Sequence, residues 1–99
     1  MMTPLEELNA QIFREQLNTK FMAVAPGLEL ELVAVEEQDR PGMELFSLHF
    51  AGPFQPRLGQ QTHRLKHEKL GEFEILMTPI SASPQQGTVY ESIFHRFRR

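Results

Sequence analysis

His63 and His67, four residues apart in "QQTHRLKHEKLGEFEI" at 60–75, are the side chains of this 99-residue sequence best suited to chemistry. On a helix that spacing puts two imidazoles on one face, as zinc helices require. Here the surrounding pattern is that of a strand, then a turn. Strand residues four apart also share a face, but at about 3.3 Å per residue they stand roughly 13 Å apart. One zinc ion, bound at about 2.0 Å from each nitrogen, does not reach both. A metal site would need a bend between them, or help from His49, His95 or a glutamate. Half-buried sheet histidines, hydrogen-bonded beside a turn, are the reading preferred.

Nucleophilic catalysis finds no better footing. The chain has no cysteine, which removes thiolate nucleophiles, thiolate metal sites and disulfides. Ser47, Ser81, Ser83 and Ser92 lie in strand or loop contexts without the strand-turn-helix elbow that exposes a reactive serine. The single aspartate, Asp39, sits in the turn "QDRPG" and is explained as a turn former. Paired glutamates doing acid-base work would need one to be buried with a raised pKa, and no pair is singled out. No residue is assigned to catalysis, to a cofactor or to a metal. The C-terminal "FHRFRR" mixes Arg96, Arg98 and Arg99 with Phe94 and Phe97, a combination that binds nucleic acid in basic domains. The chain carries a net charge of −3, so a solvated basic end to the last strand is preferred.

The elements carrying these residues follow from periodicity. "TPLEELNAQIFREQLN" predicts an amphipathic helix over about 3–18. Thr3 is its N-cap, Pro4 its first helical residue, Glu6 completes a capping box, and Leu5, Leu8, Ile12 and Leu17 form a stripe. Strands are predicted at about 20–25, 28–38, 43–51, 61–67, 72–80 and 88–97, separated by turns such as "PG" and "KLG". Alternation puts Leu28, Leu30 and Leu32 on one face of the second strand and Glu29 and Glu31 on the other. Both faces become apolar at Val33 to Val35, the mark of a bend, a bulge or burial on both sides. Phe46, Leu48 and Phe50, then Phe73, Ile75 and Met77, form inward rows. In the last strand Val89, Ile93 and Phe97 are read as the core face.

Short connections imply antiparallel neighbours. The expected fold is α+β and mostly β: an N-terminal helix packed on a strongly curled antiparallel sheet, or small barrel, of about six strands in one domain spanning 1–99. Charge is uneven, with −6 over residues 1–52 and +3 over 53–99, which suits either internal neutralisation or a two-signed docking surface. No apolar run is long enough to span a bilayer, and "MMTPLEELNAQ" lacks the features of a secretory signal, so a cytoplasmic location is expected.

With the strands laid out, "FSLHFAGP" at 46–53, "HRLKHEKLGEFEILMTPI" at 63–80 and "YESIFHR" at 90–96 resemble the pattern of a family of small bacterial domains of unknown function. Arg64, Leu65 and His67 match it; His63 stands where the family has Tyr, and Lys66 where it has Glu. The resemblance implies a compact domain with a supporting role, associated with phage-tail-like or envelope assemblies, and brings no activity and no catalytic residues. It places Arg64 and His67 in a strand-turn-strand unit, paired with carboxylates such as Glu74 or Glu91.

The leading expectation is a non-enzymatic interaction or structural accessory module that docks a protein partner or self-associates, without nucleic acid or membrane. Its candidate contacts are Phe54, Arg57 and Leu58 in the proline-stiffened loop "GPFQPRLGQ", with Arg96 and Arg98 at the basic end. The alternative is a small-molecule-binding barrel, or a weak hydrolase using histidine and glutamate, with a cavity lined by Phe46, Phe50, Phe73 and Met77.

Overall fold

The structure, a computed structural model, describes residues 2–97. Six strands, β1 (Lys20–Ala23), β2 (Leu28–Arg40), β3 (Met43–Gly52), β4 (Gln61–His67), β5 (Gly71–Ser83) and β6 (Gly87–Phe97), follow a short helical segment. All pair antiparallel, in the order β1-β2-β3-β6-β5-β4, and β4 closes the ring on β1 through Met22 opposite Lys66 and Ala23 opposite Leu65.

Strict alternation along β2, β3 and β5 decides what lies inside. Leu30, Leu32, Phe46, Leu48, Phe50, Phe73 and Met77 are at most 1% exposed, and each such side chain contributes roughly 1.5–3 kcal/mol through burial. The rings pack edge to face: Phe21 lies 5.3 Å from Phe50 and 6.2 Å from Phe73, and Phe13 lies 5.9 Å from Phe73. At Val33 to Val35, where both faces turn apolar, the ladder slips between Leu32 and Ala34. This bulge leaves Val33 41% exposed and returns Val35 to the interior side, opposite Leu48.

Two expectations are corrected. The N-terminal helix is far shorter than 3–18: a 3-10 turn at Leu5–Glu7 and α1 at Ala10–Arg14, with Leu8 and Asn9 extended between them. Asn9 is the cap, its side-chain oxygen accepting the Ile12 N–H at 2.9 Å. Thr3 caps nothing; its N–H donates to the Glu72 carbonyl and its hydroxyl to that of Leu70. A straight helix would carry Leu8, Ala10 and Phe13 to different depths, whereas the broken segment buries all three to 3% exposure or less. Tertiary burial outweighs a helical propensity that sums to little over so few residues.

The core face of β6 is the other correction. Thr88, Tyr90, Ser92 and Phe94 point inward, while Ile93 is 63% and Phe97 83% exposed. Burying the Val89, Ile93 and Phe97 face would also bury Glu91 and His95. The face chosen carries hydroxyls, which are cheaper to bury than a carboxylate. Register with β3 sets Tyr90 opposite Phe50 and Phe94 opposite Phe46, and the last two rings stack at 4.6 Å. Phe94→Ala should therefore destabilise the fold by about 3–5 kcal/mol, and Phe97→Ala should stay within about 0.5 kcal/mol of the parent. Urea denaturation of the two variants measures this, and the opposite ranking would mean that β6 presents its other face.

Candidate interaction surface

The histidines resolve into structural roles. His67 is 5% exposed at the end of β4. Its Nδ1 accepts the N–H groups of Lys69 at 3.0 Å and Leu70 at 3.2 Å. That leaves the ring proton on Nε2, which donates to Thr19 Oγ1 at 2.9 Å, and the Thr19 hydroxyl in turn donates to the Gln16 carbonyl. Every polar atom of the ring is committed to the turn or to the segment before β1. Gly71 follows at φ +79°, and a Cβ there would stand 2.8 Å from Thr3 Oγ1. This is a locked turn.

Among the described residues His67 pairs with no carboxylate. Arg64 lies opposite Glu74 and reaches it and Glu72 only at 4.0 and 3.9 Å, loose exposed pairs that contribute little. His63, also inward, donates from Nε2 to the Gly59 carbonyl at 2.9 Å. Among the described residues no group of three or more histidine, aspartate or glutamate side chains is arranged to hold a metal ion. An outward row was not singled out in the sequence: His49 meets Glu91 at 3.0 Å and Glu36 at 3.8 Å.

The loop residues divide. Leu58 is 6% exposed and its N–H donates to the Tyr90 hydroxyl at 2.9 Å, so it anchors the loop and is not offered to a partner. Phe54 is half-buried, with the exposed Arg57 guanidinium 4.9 Å above its ring. Arg96 turns back on its own chain. Nη1 donates to the Leu5 carbonyl at 2.8 Å; Nη2 donates to the Leu8 carbonyl at 2.6 Å and to Glu44 at 2.9 Å. Arg98 lies outside the described residues.

What these contacts frame is a split in the wall. β6 pairs with β3 along its whole length, from Gly52 opposite Thr88 to Met43 opposite Phe97. With β5 it pairs only between Thr78 opposite Glu91 and Ser83 opposite Gly87. Beyond that point the two strands part. Met2 and Thr3 bridge to β5 at Glu72, Phe13 fills the interior, and Arg96 ties the N-terminal segment to β6. Among the described residues no strand pairs with the outer edge of Ser92–Phe97. Beside it runs an open groove of about 300 Å³ lined by Leu5, Leu76, Ile93, Phe94 and His95. Leu76 is 54% exposed and shares this groove with Ile93, itself 63% exposed.

The fold and this surface define a small antiparallel ring domain with a partly unpaired strand. The chain belongs to the family described as Domain of unknown function (DUF6916), whose pattern matches residues 8–94. No curated protein and no solved structure matches it. No helix among the described residues is long and apolar enough to cross a membrane.

His67 generates a two-part prediction. Burial, the largest influence, holds its pKa below the ordinary value, so the unfolded chain takes up a proton more readily than the folded one. The stability His67 supplies is present in full above about pH 6.5 and is lost as pH falls from there through the lower folded value. His67→Ala strands two turn amides and should cost at least about 2 kcal/mol, more than the ~1 kcal/mol of a single lost bond. It should also flatten the acid-side decline. Urea midpoints at pH 5 and pH 8 for both proteins check the magnitude and the slope.

Proposed function

We propose that the protein is a non-catalytic interaction module that binds a protein as an added strand along the outer edge of β6. The observation that carries this reading is the mismatch between the two ladders of β6, one complete and one ending at Glu91. An edge with unpaired N–H and C=O groups is a template for another strand, and native domains normally shorten, charge or cover such edges. Here the residues facing outward on it include Ile93 and Phe97, the two most exposed large apolar side chains among the described residues. Main-chain hydrogen bonds would supply affinity and the apolar side chains on one face would supply selectivity, the arrangement of strand-addition binders. Such a module serves an accessory or structural role in a larger assembly, in line with the family resemblance.

The ligand-barrel alternative has less support. Phe46, Phe50, Phe73 and Met77 are at most 1% exposed, and the three rings lie against Phe13 or Phe21. The side chains that would line a cavity instead fill the interior, and a six-stranded ring is narrow.

Selection of extended peptides from a displayed library tests the reading. Selected peptides should slow amide exchange within Ser92–Phe97, and Ile93→Asp with Phe97→Asp should weaken them at least tenfold while leaving the melting temperature nearly unchanged. Binding that protects the 53–60 loop and spares β6 would refute it.

A further inference from the structure

The groove beside Ser92–Phe97 has one wall that is not a strand. Leu5 and Glu6 line it there, together with Ile93 and Phe94 of β6 and Leu76 of β5. We propose that Met2–Glu7 is a strap over this groove, closed in the structure and lifted when a partner strand docks on β6. The proposal rests on the edge-binding reading and adds how that edge is controlled.

Met2–Glu7 is tied to both lips of the seam. On the β5 side Met2 bridges to Glu72, the Thr3 N–H donates to the Glu72 carbonyl at 2.6 Å, and the Thr3 hydroxyl donates to the Leu70 carbonyl at 2.8 Å. On the β6 side Arg96 Nη1 donates to the Leu5 carbonyl at 2.8 Å. Between these ties little is buried. The 3-10 turn at Leu5–Glu7 has no buried residue, Met2 is 36% exposed, and Pro4, Glu6 and Glu7 are exposed. The residues that follow differ, because Leu8, Ala10 and Phe13 are at most 3% exposed. Segments with few buried apolar contacts are the ones that open locally while the rest of a domain stays folded. The strap therefore releases up to Leu8. Leu8 to Phe13 stay in the interior, with Arg96 still bonded to the Leu8 carbonyl and to Glu44.

Space requires this opening. The groove holds about 300 Å³, the lower limit for a single drug-sized ligand. A strand matched to Ser92–Phe97 rises about 3.3 Å per residue, lies about 4.8 Å from its neighbour and carries side chains on both faces, which takes more room. β3 holds β6 in place and β4 holds β5, so the strap is the wall that yields. Lifting it also frees the Glu72 carbonyl beside the edge of β5 from Phe73 to Met77, which among the described residues no strand pairs on the side away from β4. A partner that binds only the open state has its affinity reduced by the open fraction, so the strap sets how readily the edge is used.

Tethering the strap tests this. The chain has no cysteine, so Met2→Cys with Glu72→Cys, at a bridged pair of residues, gives one defined disulfide. The probe is the tightest peptide that the displayed library yields on the wild type, made synthetically. The oxidised variant should bind it at least tenfold more weakly than the same variant reduced. Thr3→Val, which drops the tie to Leu70, should bind it more tightly than the wild type does. In the wild type the peptide should speed amide exchange at Thr3, Glu7 and Leu8 while slowing it within Ser92–Phe97. Circular dichroism checks that each variant is folded; should the tether prevent folding, the exchange measurement alone decides. Equal or tighter binding by the oxidised form would overturn the strap, as would strap amides that stay unchanged or slow down while Ser92–Phe97 is protected, and both results leave the edge-binding reading standing. If no peptide protects Ser92–Phe97, that reading and the strap fall together.

Discussion

The seam between β5 and β6 is hydrogen-bonded for only part of its length, and whatever fills the remainder has to keep water off the aromatic interior. Met2 to Arg14 meet that constraint. Thr3 bonds to the β5 side at Glu72 and Leu70, and Arg96 on the β6 side holds the carbonyls of Leu5 and Leu8. Between them Phe13, fully buried, touches Phe46, Phe73 and Phe94. The Leu5 carbonyl also accepts the Leu8 N–H that closes the 3-10 turn, the Leu8 carbonyl lies just past that turn, and a guanidinium is suited to serve two acceptors at once. The interruption at Leu8 and Asn9, the inward turn of Arg96 and the burial of Phe94 all follow from filling this opening.

Much of the architecture was legible in the sequence because it rests on alternation. Glutamates between leucines in β2, and phenylalanines two apart in β3 and β5, leave one face that can be buried, so an antiparallel, mostly β domain of six strands followed from the pattern. Two parts were not legible from it. Apolar spacing in "TPLEELNAQIFREQLN" fits a helix and fits equally a broken segment that pushes the same side chains into a gap; only the seam distinguishes them. In β6 both faces carry apolar residues, so hydrophobicity alone does not choose. The signal that does choose is polar: Glu91 and His95 share a face with Ile93, and a buried carboxylate costs more than buried hydroxyls. The same oversight hid the exposed Ile93 and Phe97, and with them the candidate surface, whereas Leu58 and Arg96 drew attention although the fold uses both internally.

A reactive site needs donors and acceptors that the fold has not already spent. His67 commits both nitrogens, His63 commits one to Gly59, and the Tyr90 hydroxyl is tied to Leu58. These groups sit where the interior would otherwise leave backbone atoms unpaired, and unmade hydrogen bonds in such surroundings are expensive. Histidine at position 67 is therefore sufficiently explained by turn geometry: a neutral ring that accepts two amides on one side and donates on the other does what a protonated ring could not.

The two edges of the β2-β3-β6 sheet pose the same aggregation hazard and answer it differently. Along β2 the run Glu36, Glu37, Gln38 and Asp39 places charge where an unwanted strand would dock, the usual defence of an edge. Along β6 the side chains on the outward face are Ile93, His95 and Phe97, and the backbone ladder with β5 stops at Glu91. An apolar edge in the open would pair indiscriminately; here Leu5 and Leu76, which line the groove beside it, narrow what can dock. On the edge-binding reading the two edges divide the work: the charged β2 edge repels stray strands, and the apolar β6 edge stays available for docking.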